Sequence, residues 1–68
     1  MKVFEVITEH CEGDSKEIKT TRLYVTSEDN TLKSVADYYT KHCYEYEKDL
    51  ISVRDVLSIV ENVKTEAI

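Results

Sequence analysis

The single glycine of the chain, Gly13, constrains the fold most, because it lies in the clearest turn signal of the sequence, residues 12–15. The segments on either side, residues 2–10 and residues 18–26, are both rich in β-branched and aromatic side chains. Two such segments around a short polar loop predict a β-hairpin. The first segment carries apolar residues on both faces, Val3 and Ile7 on one and Phe4 and Val6 on the other. A strand of this kind is predicted to be central in its sheet or covered on both sides.

The next segment has the pattern of a helix. Residues 27–31 supply several N-cap side chains and acidic groups suited to the positive end of a helix. The apolar residues that follow recur with helical spacing and form one stripe: Leu32, Val35, Ala36, Tyr39 and Cys43. The sequence therefore predicts a helix over residues 31–43.

The C-terminal third fits two descriptions. Residues 50–53 and 56–60 are dense in β-branched side chains, which favours a strand, bent near Arg54 and Asp55. The helical alternative depends on the spacing of Val53, Val56, Leu57, Val60 and Val63, with Ser52 and Asp55 as a capping box. A strand is preferred because a two-stranded hairpin alone is a poor platform for the helix.

We therefore predict an α+β fold with the order β-β-α-β, in which one helix packs on a small, mainly antiparallel sheet. The alternative is β-β-α-α with a C-terminal helix. Residues 1–68 are expected to form one small domain, since a chain of 68 residues leaves no room for a second.

The charge and hydropathy of the chain narrow the classes of partner. A formal net charge of −5 repels phosphate backbones, so direct nucleic-acid binding is not expected. No apolar run approaches the roughly 20 residues of a membrane helix, and the N-terminal residues lack the apolar segment of a signal peptide. We expect a cytoplasmic protein without membrane contact, whose cysteines stay reduced.

Two His-Cys dipeptides, His10-Cys11 and His42-Cys43, raise the question of a metal site. Adjacent side chains diverge on a strand or a helix, and structural zinc sites space their ligands two to four residues apart. Cys43 also belongs to the apolar stripe of the helix. Both cysteines lie among acidic residues, which disfavours a thiolate nucleophile, and one glycine cannot form a phosphate-binding loop. The sequence predicts neither a metal nor another cofactor, and no enzymatic activity.

The tyrosines are the most distinctive feature, since four of the five lie between residues 38 and 46. Tyrosine buries a large area at low entropy cost and is favoured in protein interfaces. The alternative is that these tyrosines seal the rim of a small core. A binding surface for a partner protein is predicted at five residues: Tyr38, Tyr44, Glu45, Tyr46 and Glu47.

Three segments together resemble the small orphan proteins of tailed phages, and in particular those of the T4-like phages of cyanobacteria. The segments are residues 2–6 (KVFEV), 41–47 (KHCYEYE) and 51–60 (ISVRDVLSIV). This resemblance implies a phage-encoded protein that binds and redirects a host protein in the host cytoplasm. It supplies no site residue, because the class has no motif.

The leading hypothesis is a non-enzymatic accessory protein that binds a host protein through its Tyr-rich acidic surface. The second is a self-associating structural module, a homodimer formed through the sheet face that the helix leaves uncovered or through a sheet edge. The third is a DNA-mimic inhibitor of a nucleic-acid-binding protein. Its acidic face would contain Glu9, Glu12, Asp14, Glu45, Glu47 and Asp49.

Overall fold

A computed structural model describes residues 2–12, 16–56 and 64–68. In chain order the elements are β1 (Val3–Glu12), β2 (Glu17–Thr26), α1 (Leu32–Glu45), β3 (Asp49–Val56) and β4 (Thr65–Ala67). The helix packs on a four-stranded sheet with the strand order β3-β1-β2-β4. This confirms the predicted α+β fold. No helix in the described part of the chain is both long enough and apolar enough to span a membrane.

The predicted hairpin consists of β1 and β2, which pair antiparallel from Phe4 opposite Val25 to Glu12 opposite Glu17. Its predicted turn at Gly13 lies outside the described residues. On its other side β1 pairs antiparallel with β3, so it is the strand between the two. The prediction from its two apolar faces is therefore correct.

The helix begins one residue later than predicted and continues two residues further. Thr31 is the N-cap, and its Oγ1 accepts a hydrogen bond from the Ser34 backbone N–H at 3.3 Å. The stripe buries Val35, Tyr39 and Cys43 against the sheet, whereas Leu32 at the first turn is exposed. The apolar stripe thus predicts the buried face correctly except at its N-terminal end.

The C-terminal ambiguity is decided in favour of a strand where the structure describes it. β3 covers residues 49–56, and the alternative helix is not seen in the described part of the chain. The rest of the predicted strand, residues 57–60, and Val63 of the alternative helix lie outside the described residues. The irregularity in β3 comes earlier than the expected bend at Arg54 and Asp55. The register with β1 shifts between Ser52 and Leu50, while Arg54 and Asp55 pair regularly.

A short fourth strand was not predicted. β4 runs parallel to β2, with Tyr24 opposite Thr65, and the Ile68 backbone N–H donates to the Thr26 carbonyl at 2.9 Å. Ile68 is partly buried and packs against the core. The pairing of only three residues leaves no readable periodicity in the sequence.

The core lies in one layer between the helix and one face of the sheet. Among the described residues, the buried cluster consists of Phe4, Val6, Val25, Val35 and Tyr39. Four partly buried residues of the described segments pack against it: Leu23, Leu50, Val53 and Ile68. No helix among the described residues packs on the opposite face of the sheet, and the described side chains on that face come from the strands.

Tyr39 offers a direct test of this core through its ionisation. Burial raises the pKa of Tyr39 to about 12, and the Glu66 carboxylate, Tyr38 and Cys43 contribute in the same direction. A pKa raised in the fold favours the neutral phenol, so this stabilisation is complete below the unfolded value of 10.0 and is lost as the pH rises through about 12. In an alkaline titration monitored by tyrosinate absorbance, we expect Tyr39→Phe to remove the last step, which is the ionisation near pH 12. Tyr44→Phe, at an exposed position, should leave that last step in place.

Candidate functional site

An aromatic ladder, formed by Tyr38, His42 and Tyr46, runs along one edge of the helix. Residues four apart lie on successive turns of the same helical face, which brings the three rings into contact. The Tyr38 and His42 rings are nearly parallel, with centroids 6.2 Å apart and an interplanar angle of 13°. The His42 and Tyr46 centroids are 4.6 Å apart at 38°. His42 therefore joins two tyrosines that would otherwise lie two turns apart.

The aromatic ladder is anchored to the core by Tyr39. The Tyr39 ring packs edge-to-face with its two neighbours. Its centroid lies 5.1 Å from that of Tyr38, with an interplanar angle of 75°, and 5.7 Å from that of His42, with an angle of 68°. Edge-to-face pairs of this kind contribute about 0.5–1.5 kcal/mol beyond their buried area. Tyr39 is 4% exposed, whereas Tyr38 and Tyr46 are 49% and 60% exposed. One tyrosine therefore belongs to the core, and two present ring surface to solvent.

A shallow hollow of about 200 Å³ lies beside the aromatic ladder and is lined by Tyr38, Lys41, His42 and Glu45. It is smaller than the roughly 300–1,000 Å³ of typical small-molecule pockets. Its walls combine two aromatic rings with one cationic and one anionic side chain. A hollow of this size and composition suits one side chain of a partner protein better than a cofactor.

Three of the five predicted site residues come together at this place: Tyr38, Glu45 and Tyr46. Tyr44 does not, because it lies two positions from His42, about 200° around the helix axis. It is 87% exposed and contacts no other aromatic ring among the described residues. Glu47 follows the helix in a turn, with a φ of 54°, and does not line the hollow.

Sequence reasoning missed His42 as a member of the site, since it considered this residue only for metal binding. The signal was present in the regular spacing of residues 38, 42 and 46. His42 is half-buried between the two tyrosines, and no group of three or more metal-ligating side chains is found in the part of the chain that the structure describes.

Acidic residues from two segments meet at the end of the sheet near the C-terminus of the helix. Glu9 on β1 and Asp49 on β3 are register partners. The Lys48 backbone N–H donates to the Cys43 carbonyl at 2.8 Å and so connects the helix end to β3. The acidic face of the DNA-mimic hypothesis also includes Asp14 and Glu12. Asp14 and the side chain of Glu12 lie outside the described residues. Glu9 and Asp49 also line one shallow hollow at this end of the sheet.

The two cysteines lie in different environments. Cys43 is 3% exposed, and its burial raises the pKa of the thiol, as does the nearby carboxylate of Asp49, while Lys48 opposes them. A thiol with a raised pKa is a poor nucleophile at neutral pH. Cys11 is exposed near the end of β1, and both cysteines are free thiols.

Comparison of the chain with protein-family profiles, with curated protein sequences and with solved structures finds no match.

Proposed function

We propose that this protein is a non-enzymatic accessory protein that binds another protein through the aromatic ladder and the acidic residues beside it. The resemblance to small phage proteins extends the proposal to a phage-encoded protein with a host protein as its partner. The observation that carries the proposal is the exposure of Tyr38 and Tyr46 in a pre-arranged ladder.

The arrangement of the rings supports binding because it lowers the entropic cost of association. Tyrosine has few rotatable bonds, and contacts with His42 and Tyr39 further restrict Tyr38 before any partner arrives. Interface residues that contribute most to affinity are enriched in tyrosine. Exposed rings held against one another on a helix are therefore suited to act as anchors.

The charges near the aromatic ladder indicate the chemistry of the partner. Glu45 lines the hollow beside two aromatic rings, a setting that favours an arginine or lysine side chain through ion pairing and cation–π contact. The net charge of −5 would also accelerate encounter with a basic surface. We propose a partner whose contact surface is basic.

The test compares variants that remove rings inside and outside the aromatic ladder. Partners captured by the wild type are identified by mass spectrometry, and the affinity of the purified partner is then measured by calorimetry. We expect Tyr38→Ala with Tyr46→Ala to weaken binding by about 2 kcal/mol or more, the size of a typical hot spot. Tyr44→Ala removes an equally large ring from the opposite side of the helix and serves as the matched control.

The control should retain the wild-type affinity within about twofold, or about 0.4 kcal/mol. If Tyr44→Ala weakens binding as much as the double variant, the aromatic ladder is not the binding surface. Circular dichroism of each variant confirms that the fold persists, as expected for exposed positions.

Self-association is the second candidate function, and one observation favours the sheet edge over the sheet face. β3 pairs only with β1 among the described residues, and Ile51 on this strand is 49% exposed. An unpaired strand edge is a template for pairing with a second copy. The sheet face opposite the helix is instead occupied at its centre by Glu5 and arginine side chains. Light scattering over a dilution series tests this candidate, and a strict monomer would exclude it.

A further inference from the structure

The centre of the sheet face opposite the helix contains a buried carboxylate. Side chains alternate along a strand, so Glu5 points away from the core that its neighbours Phe4 and Val6 enter. It is nevertheless only 3% exposed. Its register partners are Tyr24 on β2 and Arg54 on β3. Side chains of both flanking strands therefore lie beside Glu5 and contribute to its burial.

Three side chains converge on the two carboxylate oxygens of Glu5. The Arg54 Nε–H donates to Oε1 at 2.7 Å, and the Tyr24 hydroxyl donates to Oε2 at 3.2 Å. The Arg22 Nε lies 3.6 Å from the same Oε2. These contacts, with the Arg54 hydrogen bond first among them, hold the pKa of Glu5 below its usual range although its burial opposes them. Glu5 thus remains an anion that fixes two guanidinium groups on one surface.

The two arginines contact Glu5 through Nε, and among the described residues no hydrogen bond from their terminal amino groups is found. The side chains of Arg22 and Arg54 are 60% and 68% exposed. One carboxylate neutralises one of the two positive charges, and it lies beneath them. A molecule approaching from solvent meets the guanidinium groups and not the carboxylate.

From this geometry we propose that Arg22 and Arg54 form a binding site for a phosphate group on the sheet face opposite the helix. Arginine presents a planar fork of N–H donors that matches the oxygens of phosphate. Two forks can share the three terminal oxygens of a phosphate monoester, whereas a carboxylate has only enough oxygens to satisfy one fork well. The residual positive charge of the cluster adds to the attraction. Tyr24 and Glu5 act as positioning residues.

This site is independent of the aromatic ladder. The ladder lies on the helix, which packs on the core face of the sheet, and the arginines lie on the other face. Phosphate binding can therefore succeed or fail without any effect on the proposed protein partner.

The experiment is a titration of the full chain with inorganic phosphate and, separately, with O-phosphoserine, followed by NMR of the arginine Nε–Hε resonances. Sodium chloride at matched ionic strength is the reference. We expect saturable shifts at Arg22 and Arg54 with the phosphate ligands and not with chloride. Tighter binding of inorganic phosphate assigns the free ion as the ligand, and tighter binding of O-phosphoserine assigns a phosphorylated group.

Two variants and a control separate specific binding from charge alone. Arg22→Gln should weaken phosphate binding roughly tenfold or more, the loss expected for charge-assisted hydrogen bonds. Arg54→Lys keeps a cation beside Glu5 but removes the fork, and it should weaken binding while the fold persists. Lys33→Gln removes the same charge from an exposed position of the helix and should change the affinity less than about twofold.

The proposal is overturned if chloride shifts the two arginine resonances as phosphate does, or if Lys33→Gln weakens binding as much as Arg22→Gln. Full affinity in Arg54→Lys would likewise exclude recognition by two guanidinium forks.

Discussion

Replacing Phe4 by alanine is expected to remove about 3–5 kcal/mol of the free energy of unfolding, a large share of the total. Phe4 is fully buried at the centre of the core, on the strand that pairs with both β2 and β3. Phe→Ala substitutions in a core cost about 3–5 kcal/mol, because they remove buried surface and leave a cavity. At the usual stability per residue, a domain of 68 residues has only about 3–10 kcal/mol in total. Urea denaturation followed by circular dichroism measures the loss.

The matched control for Phe4→Ala is Ile18→Ala in the neighbouring strand. Ile18 is also apolar, but it is 65% exposed. Its replacement should change stability by no more than about 0.5 kcal/mol, as at other surface positions. Equal destabilisation by the two substitutions would contradict the placement of Phe4 in the core. The comparison separates burial from the general effect of shortening an apolar side chain in a strand.

The main elements of the fold were predictable from the sequence because they depend on local patterns. The hairpin followed from β-branched segments around Gly13, and the helix from the stripe that includes Val35, Tyr39 and Cys43. β4 could not be predicted, since its three residues are held by pairing with β2 and by the burial of Ile68. Those are tertiary interactions, which leave no periodicity in so short a segment.

The candidate site was only partly predictable, for a geometric reason. Composition identified the tyrosine-rich segment, but a cluster in sequence is not a cluster in space. Helical geometry places Tyr44 on the far side and brings His42 between Tyr38 and Tyr46. The i, i+4 spacing contained this information, and reading the segment for its facing pairs would have found His42.

The buried position of Glu5 could not be predicted, because no local sequence pattern distinguishes this residue. Its importance arises from the register, which places Tyr24 and Arg54 opposite it in the two flanking strands. The apolar residues on both faces of β1 correctly predicted a central strand. They also suggested an apolar second face, whereas the centre of that face is a charged cluster that includes Arg22.

We expect Glu5 to make the stability of the protein depend on pH in the acid range. The Arg54 hydrogen bond and the charges of Arg54 and Arg22 lower the pKa of Glu5 from the unfolded value of 4.5. A lowered pKa means that the unfolded chain binds a proton more readily than the folded one. The stabilisation is therefore complete above pH 4.5 and is lost as the pH falls through the folded pKa. Glu5→Gln, which removes the charge, should be less stable at neutral pH and should lose less stability on acidification.

The measurement is the urea midpoint of wild type and variant between neutral and acid pH, with Asp37→Asn as the control. Asp37 pairs with Lys33 at 2.8 Å, but both side chains are exposed, and such surface pairs contribute little. Asp37→Asn should therefore leave the acid dependence close to that of the wild type. The Glu5→Gln and wild-type midpoints should begin to approach each other as the pH falls below 4.5, where the unfolded chain starts to bind the proton, and should come closest once the folded carboxylate is protonated below its lowered pKa. If the difference between the two urea midpoints stays constant from neutral to acid pH, Glu5 stabilises the fold through packing and not through its charge.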